Sequence, residues 1–162
     1  MNNQRVIIKY DLENMPITYD CAFYLSNAVL MLKHLGFDKF SVWVCDLNFR
    51  ERSARDLKMS IEEKKWRVEN LVAPICRRLI GCEGIVISGE YAAPSGCPIF
   101  PDHFVGKMVG YTAAVTGRLY NLTNMSPLQF DSSKWAKQKI KSWIGPDGGR
   151  CMSITMRQSD HF

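Results

Sequence analysis

Three short apolar segments of strand type alternate with longer segments of helical periodicity, and this alternation constrains the fold more than any other feature. The three segments are RVIIKYD (5–11), KFSVWVCD (39–46) and GIVIS (84–88). Each is compact and rich in β-branched or aromatic residues, which is typical of a strand buried in a sheet. Because strands that alternate with helices are joined by parallel crossovers, the sequence predicts an α/β fold with an open, mainly parallel sheet flanked by helices.

The segments between these strands carry signals for the start and end of helices. Residues 18–35 have apolar side chains at helical spacing, and Gly36 is the expected stop. A second helix is expected to begin at Ser60, which forms a capping box with Glu63, to kink at Pro74 and to end at Gly81. Its buried stripe is predicted to be Val68, Leu71, Val72, Ile75 and Leu79. We also predict a loop at 89–104, helices within 104–119 and at 132–144, and a fourth strand at 152–156.

The composition is that of an ordinary globular protein. The chain has 162 residues, of which 46% are hydrophobic and 23% charged, enough for one sizeable core. No segment approaches the roughly 20 apolar residues of a membrane span, and the first residues lack the apolar region of a secretory signal peptide. The six cysteines are widely spaced and form no C-x-x-C pair: Cys21, Cys45, Cys76, Cys82, Cys97 and Cys151. This usage is typical of reduced thiols, so we expect a cytoplasmic protein without a membrane span.

Two features of the C-terminal third bear on domain organisation and charge. The segment GPDGG (145–149) is the strongest break in the pattern, so we predict a Rossmann-like domain at 1–150, followed by a strand and loop at 151–162. The net charge is +5, and its densest basic segment is KWAKQKIK (134–141). In a helix, this segment is either a solvated face opposite a core face or a surface that attracts lipid, nucleic acid or a phosphate-bearing substrate.

Ligands of open parallel sheets bind beyond the carboxyl ends of the strands, which directs attention to the polar residues there. These residues are Asp11, Glu13, Asn14, Asp46, Ser88 and Glu90 after the first three strands, and Arg157, Ser159 and Asp160 after the fourth. If Asp11, Glu13, Asp46 and Glu90 converge, their carboxylates suit a divalent cation. The alternative is that they cap helices and face water.

Two further side chains are candidates for chemistry. Arg157 has the planar fork that clamps a phosphate, with Asp160 as its orienting partner or as the acceptor of a hydroxyl proton; the alternative is a surface salt bridge. His103 lies in a proline-rich loop, where it is a candidate general base. The sequence contains no P-loop, dinucleotide fingerprint, G-x-S-x-G or H-E-x-x-H motif, which disfavours those classes of enzyme.

Three segments resemble a group of bacterial glycosyltransferase-like proteins: YDLENMPITYD, WRVENLVAPICRRLIGCEGIVI and SITMRQSDHF. The last is also similar to the H-x-R-x-x-D motif of fucosyltransferases of the GT-B fold, in which the arginine meets the phosphate of the donor. By position, that arginine is Arg157 and the acid is Asp160, whereas Thr155 stands where the motif has histidine.

The resemblance implies a transferase with its active site between two Rossmann-like halves, a nucleotide-sugar donor and no bound metal. We hypothesise that the chain is the first half of such a molecule, with 151–162 opening a second domain that another domain or subunit completes. In this interpretation His103 and Asp160 are catalytic. The residues that bind substrate or phosphate are Arg157, Ser159, Asp11, Glu13, Asn14 and Glu90.

Two other classes stay open. The segment IIKYDLENMP also resembles the first strand and acidic turn of NYN-type, PIN-like ribonucleases. That resemblance implies Mg²⁺ or Mn²⁺ held by Asp11, Glu13 and Asp46, and a nucleic-acid partner approached by the basic segment at 134–141. The third class is a non-catalytic domain that binds a nucleotide or another protein, since an α/β fold alone does not specify catalysis.

Overall fold

The computed structural model describes residues 5–45, 48–49, 51, 57–90, 94–107, 110–127, 129–132, 134 and 138. The chain divides into two compact units, Met1–Asp131 and Ser132–Phe162, and the account below concerns the first. Several predictions lie outside the described residues: Asp46, most of the helix at 132–144, the strand at 152–156, and Arg157, Ser159 and Asp160.

The first unit is built on a four-stranded sheet in which every pair of neighbours is parallel, in the order β3-β2-β1-β4. The strands are β1 (Val6–Asp11), β2 (Phe40–Cys45), β3 (Cys82–Ile87) and β4 (Ile99–Phe100). The helices are α1 (Cys21–His34), α2 (Ile61–Arg67), a π-helical turn (Val68–Val72), α3 (Ala73–Cys76) and α4 (Ala113–Thr123). This is a small Rossmann-like α/β fold, so the predicted fold class is confirmed.

The two faces of the sheet differ in burial. Along β1, Val6, Ile8 and Tyr10 are fully buried, whereas Lys9 and Asp11 are only half-buried. The buried side belongs to one hydrophobic core that also contains Val42 and Val44 of β2 and the inner faces of α1 and the π-helical turn. The core therefore lies on the helix side of the sheet, and the opposite side carries the polar residues of β1.

Helix α1 ends as the sequence predicts. Gly36 has a φ of +87°, and Phe37 N donates to Leu32 O at 2.9 Å, the hydrogen bond that closes a helix on a glycine. The helix begins at Cys21, three residues later than position 18, because 18–20 form a turn in which the Thr18 hydroxyl donates to Asp20. None of the helices in the described part of the chain is both long enough and apolar enough to span a bilayer.

The kink predicted at Pro74 takes the form of a π-helical turn directly before it. Proline has no N–H and clashes with the preceding turn, and the wider π turn relieves both problems. The extra residue in that turn also moves the buried stripe. Val68, Val72 and Leu79 are buried as predicted, but Cys76 is buried in place of Ile75, and Leu71 is only half-buried.

Two boundaries in the second half were predicted wrongly. The predicted loop at 89–104 contains β4, which pairs with β1 at Ile7 and Ile8. A strand of two residues between Pro98 and Pro101 is too short to show any periodicity, and only its pairing with β1 defines it. The helix expected within 104–119 is α4, which begins after its cap at Thr112 and ends at Asn124, whose φ is +52°.

Candidate functional site at the switch point of the sheet

The strand order places a topological switch point between β1 and β4. From β1 the chain moves through β2 to β3 on one side, and it returns to the other side of β1 at β4. A crevice forms at such a point beyond the carboxyl ends of the two strands, and it is where open α/β sheets bind ligands. Asp11 is the last residue of β1 and Glu13 and Asn14 follow it, while Asp102 and His103 follow β4.

A tight turn orients the carboxylate of Asp11. Its Oδ1 accepts from Glu13 N at 2.9 Å and its Oδ2 accepts from Asn14 Nδ2 at 2.7 Å, while Met15 N donates to Asp11 O at 2.7 Å. A side chain that accepts from the backbone two residues ahead is a typical aspartate turn. Asp11 and Asn14 are thereby brought together, whereas Glu13, which was expected to converge with Asp11, is exposed.

Lys9 and Asp102 are two members of the site that the sequence analysis missed. Lys9 Nζ lies 3.3 Å from Asp102 Oδ2, although 93 positions separate the two residues. Burial alone would lower the pKa of Lys9, but the charge and hydrogen bond of Asp102, together with Cys45 and Asp11, raise the pKa above its ordinary value. The available signal was Lys9 itself, because a lysine inside an otherwise apolar strand needs a polar partner.

The charges of Asp11 and Asp102 influence the same two groups, Lys9 and Tyr24. Both raise the pKa of Lys9. Burial raises the pKa of the Tyr24 phenol, and the charges of Asp102 and Asp11 raise it further. The Tyr24 hydroxyl donates to Lys9 O at 3.1 Å, so the phenol supports β1 from the core side.

The aromatic side chain of Trp43 forms the other flank of Lys9. In the register of the sheet Trp43 is the partner of Lys9, and Lys9 Nζ lies 5.9 Å from the centroid of the indole ring. Trp43 Nε1 donates to Ser88 O at 3.0 Å, which fixes the plane of the ring against the end of β3. Ser88, predicted at a strand end, thus acts here through its carbonyl.

His103 closes the turn after β4. Its Nδ1 accepts from Ile99 N at 3.0 Å, and its own N donates to Ile99 O at 2.8 Å. Accepting through Nδ1 leaves the hydrogen of the neutral ring on Nε2. The ring is exposed beside Asp102. In this tautomer the lone pair that could accept a proton is on Nδ1, where it accepts from Ile99 N, so the role of His103 as a general base stays a prediction that requires this hydrogen bond to break.

Glu90 does not join Asp11. It follows β3, the outer strand, and β2 lies between β3 and β1. Two strand spacings amount to about 10 Å. Glu90 is exposed, and its carbonyl accepts from the Ser88 hydroxyl. It therefore lies near the end of β3, two strands away from Asp11.

Asp11 and Glu13, two of the three predicted metal ligands, lie within the described residues. Within the described residues, no group of three or more His, Cys, Asp or Glu side chains is placed to hold a metal ion. The set implied by the ribonuclease resemblance includes Asp46, which lies outside those residues. The phosphate-binding role of Arg157 and Ser159 and the catalytic role of Asp160 likewise stay predictions.

Comparison of the chain with protein-family models, with curated proteins and with solved structures found no match.

Proposed function

We propose that the chain is a GT-B-like glycosyltransferase domain that binds a nucleotide-activated sugar and takes part in its transfer. The observation that carries the proposal is the arrangement at the switch point, where the ammonium of Lys9 pairs with Asp102 and lies in the field of Asp11. Carboxylates and an ammonium around one crevice offer both acceptors and donors to a hydroxyl-rich ligand. The resemblance of three separate segments to glycosyltransferase-like proteins supports the same assignment.

Sugar transfer divides the chemical tasks among these residues. The oxygen of the acceptor hydroxyl forms a bond to the anomeric carbon, the bond from that carbon to the phosphate oxygen breaks, and the nucleoside diphosphate (or the monophosphate of a CMP-sugar) leaves with the electron pair. The hydroxyl proton passes to a base, for which the candidates are His103, Asp160 and now Asp102. Arg157 is the candidate for stabilising the charge that develops on the leaving phosphate.

Ligand-observed saturation-transfer NMR on the purified chain tests the proposal. UDP-, GDP- and CMP-sugars are each added with and without Mg²⁺. We expect contact with one nucleotide sugar that does not depend on metal. In Arg157→Ala we expect this binding to be at least about tenfold weaker, because a charge-assisted hydrogen bond is lost. Arg5→Ala is the matched control, because Arg5 is exposed and pairs with Glu83 at the amino end of the sheet. Equal binding by both variants would contradict the role of Arg157.

A metal-dependent ribonuclease is the second candidate, and one observation favours it. Asp11 ends β1, Asp102 follows the neighbouring parallel strand β4, and the charges of both raise the pKa of Lys9. Oxygen ligands on adjacent strand ends suit Mg²⁺ or Mn²⁺. The same NMR experiment includes a short RNA. Contact with RNA that requires Mg²⁺ and disappears in Asp11→Asn would replace the glycosyltransferase proposal with this one.

A further inference from the structure

A row of three side chains crosses the sheet on the face opposite the core. Trp43 of β2 stands beside Lys9 of β1, and Asp102 follows β4 on the other side of Lys9. Lys9 Nζ is 5.9 Å from the Trp43 ring centroid and 3.3 Å from Asp102 Oδ2. The ammonium is thus held between an aromatic surface and a carboxylate.

This row is both accessible and held in place. The side chain of Lys9 is 28% exposed and that of Asp102 is 45% exposed, so a ligand can reach the charged groups of both. The indole is fixed by the hydrogen bond from its Nε1 to Ser88 O at 3.0 Å. Side chains whose orientation is set before a ligand arrives lose little conformational freedom on binding, which favours affinity.

The chemistry of the row matches one feature of a sugar. A pyranose ring presents apolar C–H groups on one side and neighbouring hydroxyls at its edge. An ammonium donates to one hydroxyl and a carboxylate accepts from the next, while an aromatic surface packs against the C–H groups. We propose that Trp43, Lys9 and Asp102 bind the vicinal diol of a pyranose, a role that rests on the proposed function and names part of its binding site.

Phosphate fits the row less well than a diol. An isolated ammonium would attract a phosphate, but the Lys9 ammonium already pairs with Asp102 and lies in the field of Asp11. Two carboxylates beside the cation repel a second anion and cancel most of its attraction. Hydroxyls carry no charge and use both the donor and the acceptor.

Saturation-transfer NMR on the full chain tests the inference in separate arms. Methyl glycosides of glucose, galactose, mannose and fucose represent a sugar acceptor, UDP- and GDP-sugars represent a donor, and UDP and GDP alone report nucleotide binding. We expect saturation of sugar-ring protons, with binding at least about tenfold weaker in Lys9→Met and in Asp102→Asn because each variant loses one charge-assisted hydrogen bond. Lys9→Arg keeps a cationic donor and is expected to retain most of the binding.

The matched control is Lys39→Met. Lys39 Nζ also forms an ion pair, 3.2 Å from Glu83, but it lies before β2 at the amino end of the sheet. We expect this variant to bind the sugar as the wild type does. Amide proton NMR spectra of each variant report whether it is folded. If Lys9→Met unfolds the chain, Asp102→Asn still tests the inference, because it changes only an exposed side chain.

The outcomes separate this inference from the proposed function. Ring-proton contact with the methyl glycosides supports an acceptor sugar at the row, and contact confined to the sugar of a nucleotide sugar supports a donor sugar. Nucleotide contact without any contact to a pyranose ring overturns the inference and leaves the proposed function standing. Pyranose contact that survives both Lys9→Met and Asp102→Asn has the same consequence. Absence of both nucleotide and sugar contact overturns the two together. A loss of UDP or GDP binding in Lys9→Met would assign the row to an anion instead of a diol.

Discussion

At the scale of single residues, Gly81 illustrates how one position sets the start of a strand. Its φ is +97°, and a Cβ added there would lie 2.3 Å from Asp38 O. Gly81 O accepts from Phe40 N at 3.1 Å, which ties the turn before β3 to the first residue of β2. The backbone therefore passes close to its neighbour in a conformation that a side chain would strain.

We predict that Gly81→Ala lowers the free energy of unfolding by about 3 kcal/mol or more, since backbone strain and a steric clash add together. Gly36→Ala is the matched control, because Gly36 also has a positive φ of +87° but no atom lies within 4 Å of the added Cβ. For Gly36→Ala we expect the free energy of unfolding to fall by about 1 kcal/mol, because only the backbone conformation is strained. Urea unfolding followed by circular dichroism measures both values, and equal losses would contradict the clash.

The residue scale also contains the pair that the sequence could not reveal. Lys9 and Asp102 are 93 positions apart, and nothing in the local pattern of either indicates the other. Asp11 was predictable because an acid at the end of an apolar strand is a local signal, and its turn with Asn14 is local as well. Candidate residues that depend on strand order, such as Asp102, can be found only from the pairing of β1 with β4.

At the scale of elements, helix α2 shows how a capping signal is partly realised. The Ser60 hydroxyl accepts from Glu63 N at 3.1 Å, as the capping box predicts. The carboxylate of Glu63 instead accepts from Arg67, at 2.9 Å from Nη2 and 3.1 Å from Nε. Two N–H groups of Arg67, one turn along the helix, thus donate to the same oxygen, Oε1 of Glu63.

We predict that Ser60→Ala lowers the free energy of unfolding by about 1 kcal/mol, because Glu63 N loses its acceptor. Ser60→Asp keeps an acceptor at the same place and should restore most of the stability. The comparison is Thr112→Ala at the start of α4, where the hydrogen bond to Val115 N is longer, at 3.4 Å, so a smaller loss is expected. Chemical denaturation of the three variants provides the measurement, and a larger loss at Thr112 than at Ser60 would contradict the ranking.

At the scale of the whole molecule, the burial of the cysteine thiols shows which of them the core protects from solvent. Cys21, Cys45 and Cys76 are buried, whereas Cys97 is only half-buried. Burial raises the pKa of the Cys21 thiol to about 12, and burial likewise raises the pKa of Cys76. Since the thiolate is the reactive form, the inner thiols are protected both by their pKa and by the packing around them.

We predict that iodoacetamide at pH 8 modifies Cys97 before Cys21 and Cys76 in the folded chain. The inner thiols should react only through openings of the core, in which they regain an ordinary thiol pKa, so the frequency of opening limits their rate of modification. Peptide mapping by mass spectrometry measures the order of modification, and labelling in 6 M guanidinium chloride is the control in which the order should vanish. Modification of Cys21 as fast as Cys97 would show that the core is open at this end of α1.

The helix signals show how far a single sequence predicts this molecule. Gly36 and Ser60 act at the positions predicted for them, and the alternation of strands and helices leads to the observed α/β class. The inner stripe of the second helix was predicted less well, because the π-helical turn before Pro74 brings Cys76 inward in place of Ile75. A regular helical period cannot anticipate an extra residue in one turn.

Features that depend on neighbours along the chain could be predicted from the sequence: strand type, the stop of α1 at Gly36, the cap at Ser60 and the parallel class of the sheet. The pairing of distant segments, by contrast, is what creates β4, sets it beside β1 and brings Trp43, Lys9 and Asp102 into one row. The physical reason is the range of the interactions. Propensities, caps and turns act over a few residues, whereas strand pairing joins segments whose positions in the chain contain no local record of each other.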